Sequence, residues 1–432
     1  MVIIKNFKKA FLLLTYLLGC FPILTFGMRS VITIVWSVLG VFLFLKKQGE
    51  YKLQKDIWMF VLPFLIMLLS LSYSSNIDYG LATLVKMISL IIFPLILYLN
   101  RDFFSKRQIS KVFYFFSFSL LTLIIYQATV ILLNYNFVTG NITIQEIKSN
   151  GFKYLSEISS DKVDQIKIRR FRNFIIEISN THTTYQGLWI CFGVLFLSLE
   201  LKKEKRKLFV FLNVLLITIL SVWFYMVSAR ITFLAFSVSI VSFVFVFSEF
   251  SKRKKILISL LFSSFFTAFL FFNNPISTRV KEYYKTGFSL LDKKTKPTKF
   301  NSSNVRNGIY YCDFKLIQNS PILGIGIGDI QDSLNSCFKK DLSSDIYKWH
   351  TFNSHNQYVY FWISTGILGL ISIVFLILKT FAFSLKEKNK LLFLITCLIA
   401  ITFFTENLLE RSDGLMFYSF FTGILFFNKL KK

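Results

Sequence analysis

His355, in the run SHNQYVYFW, is one of only three histidines in this 432-residue chain. A neutral imidazole at a membrane surface can orient an attacking hydroxyl or take its proton. If a helix starts at His355, Tyr358 and Trp362 lie beneath it at i+3 and i+7 as one polar-aromatic stripe. The plainer reading is an interfacial histidine hydrogen-bonded to backbone. Arg230, in Ser-Ala-Arg between two apolar runs, sits where arginine must face a partner or a water-filled cavity, or else snorkel to the surface. Arg306 shares a helical face with Tyr310 and Asp313. With Arg230, and with Arg170 or Arg172 from IKIRRFRNF, it offers the planar donors that a diphosphate takes bidentately. For Arg170 and Arg172 a solvated surface is the plainer expectation.

Other polar residues gather near these. His182 and Tyr185 stand where NTHTTYQG passes into an apolar run, and Glu406, Glu410 and Arg411 form a charged cap between the last two. The cap reads first as an internal salt-bridge network, with Glu406 and Arg411 also candidates for substrate contact. Gly326, with Tyr358, is a further contact candidate. Yet Gly324, Gly326 and Gly328 do not form a dinucleotide fingerprint, and they read best as a tight turn bringing backbone against another element. Three histidines without clustered carboxylates suggest no metal site, and there is no GxSxG for a serine triad. Cys20, Cys191 and Cys397 fall in apolar runs, whereas Cys312 and Cys337 share a polar stretch where a disulfide is allowed.

The elements that must position these residues are membrane helices. Apolar residues make up 54% of the chain, 53 residues are Phe, and mean hydropathy is +0.56, the profile of a polytopic membrane protein. The net charge of +27 falls largely in short clusters between apolar runs, which argues for membrane lipids and against nucleic acid as the partner of that charge. Twelve runs are expected to span: Phe11–Phe26, Val31–Leu45, Ile57–Tyr73, Leu81–Leu99, Val112–Leu133, Tyr185–Leu199, Leu208–Met226, Ile231–Phe247, Ile256–Phe272, Gln357–Leu378, Leu391–Phe404 and Leu415–Phe427. The first is expected to stay as a helix rather than be cleaved as a signal.

Lysine-rich loops follow the second, fourth, sixth, eighth and tenth runs, while the alternate short loops are nearly bare. The positive-inside rule then puts both termini and the basic loops in the cytoplasm. The chain divides into helices 1–5 (residues 1–133), a first outer loop (134–184), helices 6–9 (185–272), a large outer loop (273–356) and helices 10–12 (357–432). The candidate residues crowd at the outer face. The start of the large loop, STRVKEYYKTGFSLLDKKTKPTKFNSS with Pro297, is basic and reads as mixed helix and loop.

Taken together, SAR, VRNGIYY, NSPILGIGIGD, SHNQYVYFWISTGILGL, FFTENLLERSDGLMFYSFFTGILFF and NTHTTYQG resemble the O-antigen ligase and polymerase superfamily of bacterial envelope glycosyltransferases. The resemblance covers about residues 181–427. It implies an all-α, GT-C-type integral protein of the inner membrane, with about 12 spanning helices and a large periplasmic loop between helices 9 and 10. It implies transfer of a glycan from undecaprenyl diphosphate to a lipid A-core, glycan or protein acceptor, without cofactor or required metal. His355, Arg306 and Arg230 match its catalytic positions, and His182 and Tyr185 its outer His–Tyr pair. The lysine-rich start of the large loop matches no motif. Ligase, polymerase and protein-glycosylating members diverge in this loop, so the acceptor stays open. A lipid-linked-glycan flippase is the rival from another class. Transporters usually carry repeats and midplane polar residues, and here the candidates lie at one face.

Overall fold

A computed structural model describes residues 2–46, 55–227, 230–271, 289–291, 300 and 302–428. Among the described residues every regular element is a helix. A helix overlies each of the twelve apolar runs. Among the described residues, eight spans are long and apolar enough to cross a membrane: Phe26–Leu45, Asp56–Tyr73, Ile77–Leu99, Lys106–Leu133, Thr183–Leu201, Lys207–Val227, Arg230–Phe247 and Gln357–Lys386. Lys390–Thr402 and Ser412–Phe427 are shorter apolar helices. Pro297, most of the lysine-rich stretch around it, Ser228, Ala229 and the basic residues 47–54 lie outside the described residues.

Packing between these helices relies on aromatic rings and a few buried polar bonds, since lipid gives apolar side chains little reason to prefer one another. Phe21, Phe116, Trp189, Phe192, Phe417 and Phe421 form one cluster, with Phe116 and Phe421 centroids 4.7 Å apart. Beside it, the Trp223 indole donates to Gln127 at 3.1 Å, and the Gln127 amide donates to Gln186 at 3.0 Å. The Gln186 amide in turn donates to Ser179 Oγ and the Thr181 carbonyl. This chain of bonds fixes the start of Thr183–Leu201 against its neighbours.

Two polar segments at one end of the bundle are helical in part. The first contains the amphipathic helix Ser160–Ser179. The second contains Ser302–Asn319 and Ile330–Asp341, cross-linked by a disulfide between Cys312 and Cys337.

The glycine run joins the second segment to the membrane helices. Gln357–Lys386 loses helical geometry at Thr365 and Gly366, where Gly366 has φ +65°. The break frees backbone groups that need partners. Ile325 N–H donates to Ile363 O and Gly326 N–H to Ser364 O, both at 2.9 Å, and Ile367 N–H donates to Pro321 O at 3.0 Å. Ile327 and Gly328 N–H groups donate to Ser70 and Ser74 hydroxyls, and Asp329 accepts from Ser75 and Asn76 N–H groups at 2.7 and 2.8 Å. The run is the close backbone approach its spacing suggests.

Candidate functional site

Four arginines and two histidines converge on a cavity of about 430 Å³ at this end of the bundle. Arg172 lines it from Ser160–Ser179, His182, Thr184 and Tyr185 from the start of Thr183–Leu201, Arg230, Ile231 and Leu234 from Arg230–Phe247, and Arg306 from Ser302–Asn319. Asn353, His355, Thr405, Glu406, Asn407 and Arg411 close the remaining wall.

His355 does not begin the helix. It precedes Gln357–Lys386 in the left-handed region, at φ +47°. The cause is local asparagine chemistry. Asn353 Oδ1 accepts from His355 N–H at 3.2 Å, and Asn356 caps the helix by accepting from Tyr358 and Val359 N–H groups. The turn is also pinned to residues 403–410. Ser354 and Asn407 side chains bond at 3.0 Å, Asn353 donates to Glu410 at 2.7 Å, and Gln357 takes Leu409 N–H while giving its own N–H to Phe403 O. The expected stripe is therefore absent. Tyr358 turns away and donates to Ala400 O, and the Trp362 indole donates to Pro321 O.

Glu406 stands between the candidates. One of its oxygens lies 3.4 Å from Arg306 Nη2, and the other lies 3.9 Å from His355 Nδ1. Burial pushes its carboxyl upward, while Arg306, Arg411 and Arg172 pull the other way. The charged cap is thus both an ion-pair network and a wall of the cavity. Burial, helped by Arg306, His182 and Arg411, drives His355 down to about 3. Burial, with Arg172, Arg411 and Arg306, drives His182 to about 4. Both imidazoles are neutral near pH 7. His182 also needs neutrality for structure, because its Nδ1 accepts from Thr184 N–H at 3.3 Å as a helix cap. Tyr185 donates to Asn407 O at 3.4 Å, tying the two walls together.

Arg172 reaches the cavity and donates to Thr183 Oγ1 at 2.8 Å. Arg170 does not. Its five N–H donors go to Glu146, Phe137 O, Gly140 O and Asn141 O, which leaves none for a ligand. Neither Gly326 nor Tyr358 lines the cavity. A Cβ on Gly326 would sit 2.4 Å from Ser74 Oγ, so its role is packing. Asp313, expected on a polar face with Arg306, is fully buried, and burial raises its acid well above the usual range. Asn353, Thr405 and Asn407 are lining residues that the sequence reading missed; the density of asparagine around His355 was the available signal.

Residues 214–376 match the O-antigen ligase family model. The match supports the O-antigen ligase superfamily. Arg230, Arg306 and His355 all fall within the matched segment, while His182, Tyr185, Glu406 and Arg411 lie outside it. No curated protein matches the chain. Members of this superfamily are glycosyltransferase- or ligase-type enzymes, and its partners are in general lipid-linked glycans and their acceptors. With eight apolar helices of spanning length among the described residues, the chain reads as a multi-pass membrane protein.

Proposed function

We propose that this chain is an O-antigen ligase-like glycosyltransferase. In this reading it crosses the inner membrane twelve times, with both termini cytoplasmic and the arginine-rich cavity facing the periplasm. It moves a glycan from undecaprenyl diphosphate to a lipid A-core or similar hydroxyl-bearing acceptor. The observation that carries the reading is the cavity's charge. Arg172, Arg230, Arg306 and Arg411 line it against one carboxylate, Glu406, and its two imidazoles are neutral. That excess of planar cations suits a diphosphate.

Chemically, an acceptor oxygen attacks the anomeric carbon, and the bond from that carbon to the phosphate oxygen breaks. Undecaprenyl diphosphate leaves with the electron pair, and the hydroxyl proton passes to a base. Arg306 and Arg230 hold the diphosphate and meet the charge growing on the leaving oxygen. His355 aligns the acceptor and receives its proton. Burial first, and then the surrounding arginine charge, keeps its proton affinity low; a bound diphosphate offsets the arginine part and so raises the basicity of the imidazole.

Envelope glycans from a deletion strain test the assignment. Loss of a ligase leaves long chains on the lipid carrier. A polymerase, which joins one lipid-linked glycan to another, leaves single repeats when lost, and that outcome would replace ligation in this reading. Unchanged glycans on carrier and acceptor alike would remove both.

A further inference from the structure

A second cavity, of about 490 Å³, opens at the other end of the bundle. It is built from the start of Lys106–Leu133, the end of Thr183–Leu201, the turn at residues 388–391 and the end of Ser412–Phe427. Three loops predicted to share the cytoplasmic side thus meet in one place. Five lysines line it: Lys106, Lys202, Lys203, Lys388 and Lys390. Lys203 is paired with Glu200, the single acidic residue of the lining. Among the described residues, the other four lysines make no ion pair. Behind them the wall is apolar, with Phe113, Phe196, Leu199 and Leu425 facing the same space.

We infer that this cavity binds the phosphate headgroup of an anionic membrane phospholipid. Three features converge. The excess of lysine charge attracts phosphate, and basic pockets between membrane helices on the cytoplasmic side suit anionic headgroups. Two helices, Lys106–Leu133 and Lys390–Thr402, begin at the cavity; Ser105 and Asn389 side chains each cap one first-turn N–H, and the positive ends of the two helix dipoles add to its preference for anions. The aromatic and aliphatic wall continues into the membrane-spanning part of the same helices, which gives the glycerol and upper acyl carbons a surface that a free anion would not use. The site is independent of the proposed transfer reaction.

Purified protein, delipidated in detergent, decides the point. Phosphatidylglycerol, phosphatidylcholine and inorganic phosphate are each titrated, with bound lipid read by native mass spectrometry and stability by thermal unfolding. Phosphatidylglycerol is expected to bind and to raise the unfolding temperature, with phosphatidylcholine and inorganic phosphate far weaker. Changing Lys106, Lys388 and Lys390 to Gln weakens binding by about fivefold per lysine, and Arg at the same positions preserves it. Lys252→Gln with Lys254→Gln, outside the cavity, leaves binding unchanged. Equal binding by the triple Gln variant, or equal loss in the Lys252/Lys254 control, would overturn the site in favour of diffuse surface attraction. Inorganic phosphate binding as tightly as the lipid would overturn the headgroup assignment in favour of a free-anion site.

Discussion

Arg306 and Glu406, a hundred residues apart in sequence, meet across the cavity with Nη2 and Oε1 at 3.4 Å. The pair holds the proposed diphosphate-binding arginine on the same carboxylate that stands beside His355. It aligns the two proposed working groups while lowering the cavity's positive charge.

Glu406→Gln separates these effects. Without the carboxylate the cavity is more cationic, so donor affinity is expected to hold or improve. Alignment of Arg306 and His355 is lost, and kcat should fall by about ten- to a hundredfold. Donor binding and single-turnover transfer measured side by side check it; weaker donor binding with kcat intact would contradict it.

Arg306→Lys and Arg230→Lys replace a planar fork with a point charge. Each should lower transfer by about ten- to a hundredfold at normal membrane levels, the scale of one charge-assisted hydrogen bond. Arg170→Lys is the contrast. It breaks a network that is internal to residues 137–170, so thermal stability should fall while transfer per folded molecule stays near the parent's. The reverse pattern would put Arg170 back in the site.

The membrane helices were legible because apolar runs of spanning length have few other uses. The role of the glycine run was legible for a similar reason, since three alternating glycines suit close backbone approach. The site's finer layout was not. Arg170 and Arg172 are two residues apart and chemically identical, and only the placement of Glu146 and Thr183 separates the buried staple from the cavity wall. The stripe from His355 to Trp362 assumed continuous helix. It failed because Asn353 and Asn356 turn the chain at His355 through bonds that depend on Asn407, fifty-three residues away from Ser354. Long-range hydrogen bonds of this kind leave no periodic trace.

The pH profile offers an independent check. An ordinary histidine near 6.5 would give kcat/KM an acidic limb there, whereas His355 and His182 are pushed to about 3 and 4 and stay neutral well below that. Since kcat/KM reports the free enzyme, neither histidine should contribute a limb between about pH 7.5 and about pH 5. A limb centred near 6.5 that disappears in His355→Gln would contradict the buried, arginine-surrounded imidazole.

Gly366→Ala tests the helix break. A Cβ there would meet Ile322 O at 1.9 Å, in a left-handed backbone that L-residues rarely adopt. Stability should fall by about 2 kcal/mol or more, and the Ile325–Ile363 and Gly326–Ser364 amides should lose hydrogen-exchange protection first. Parent-like stability and protection would mean that the break is not needed.

Transfer and donor binding measured together for His355→Gln test the central claim most directly. Gln keeps a hydrogen-bonding group of similar reach but cannot take a proton near neutrality. With purified protein, a lipid-linked glycan donor and a hydroxyl acceptor, donor affinity should match the parent's while the transfer step falls by about a hundredfold or more. Transfer near the parent rate would show that His355 does not accept the proton, and loss of donor affinity would move it into the diphosphate site.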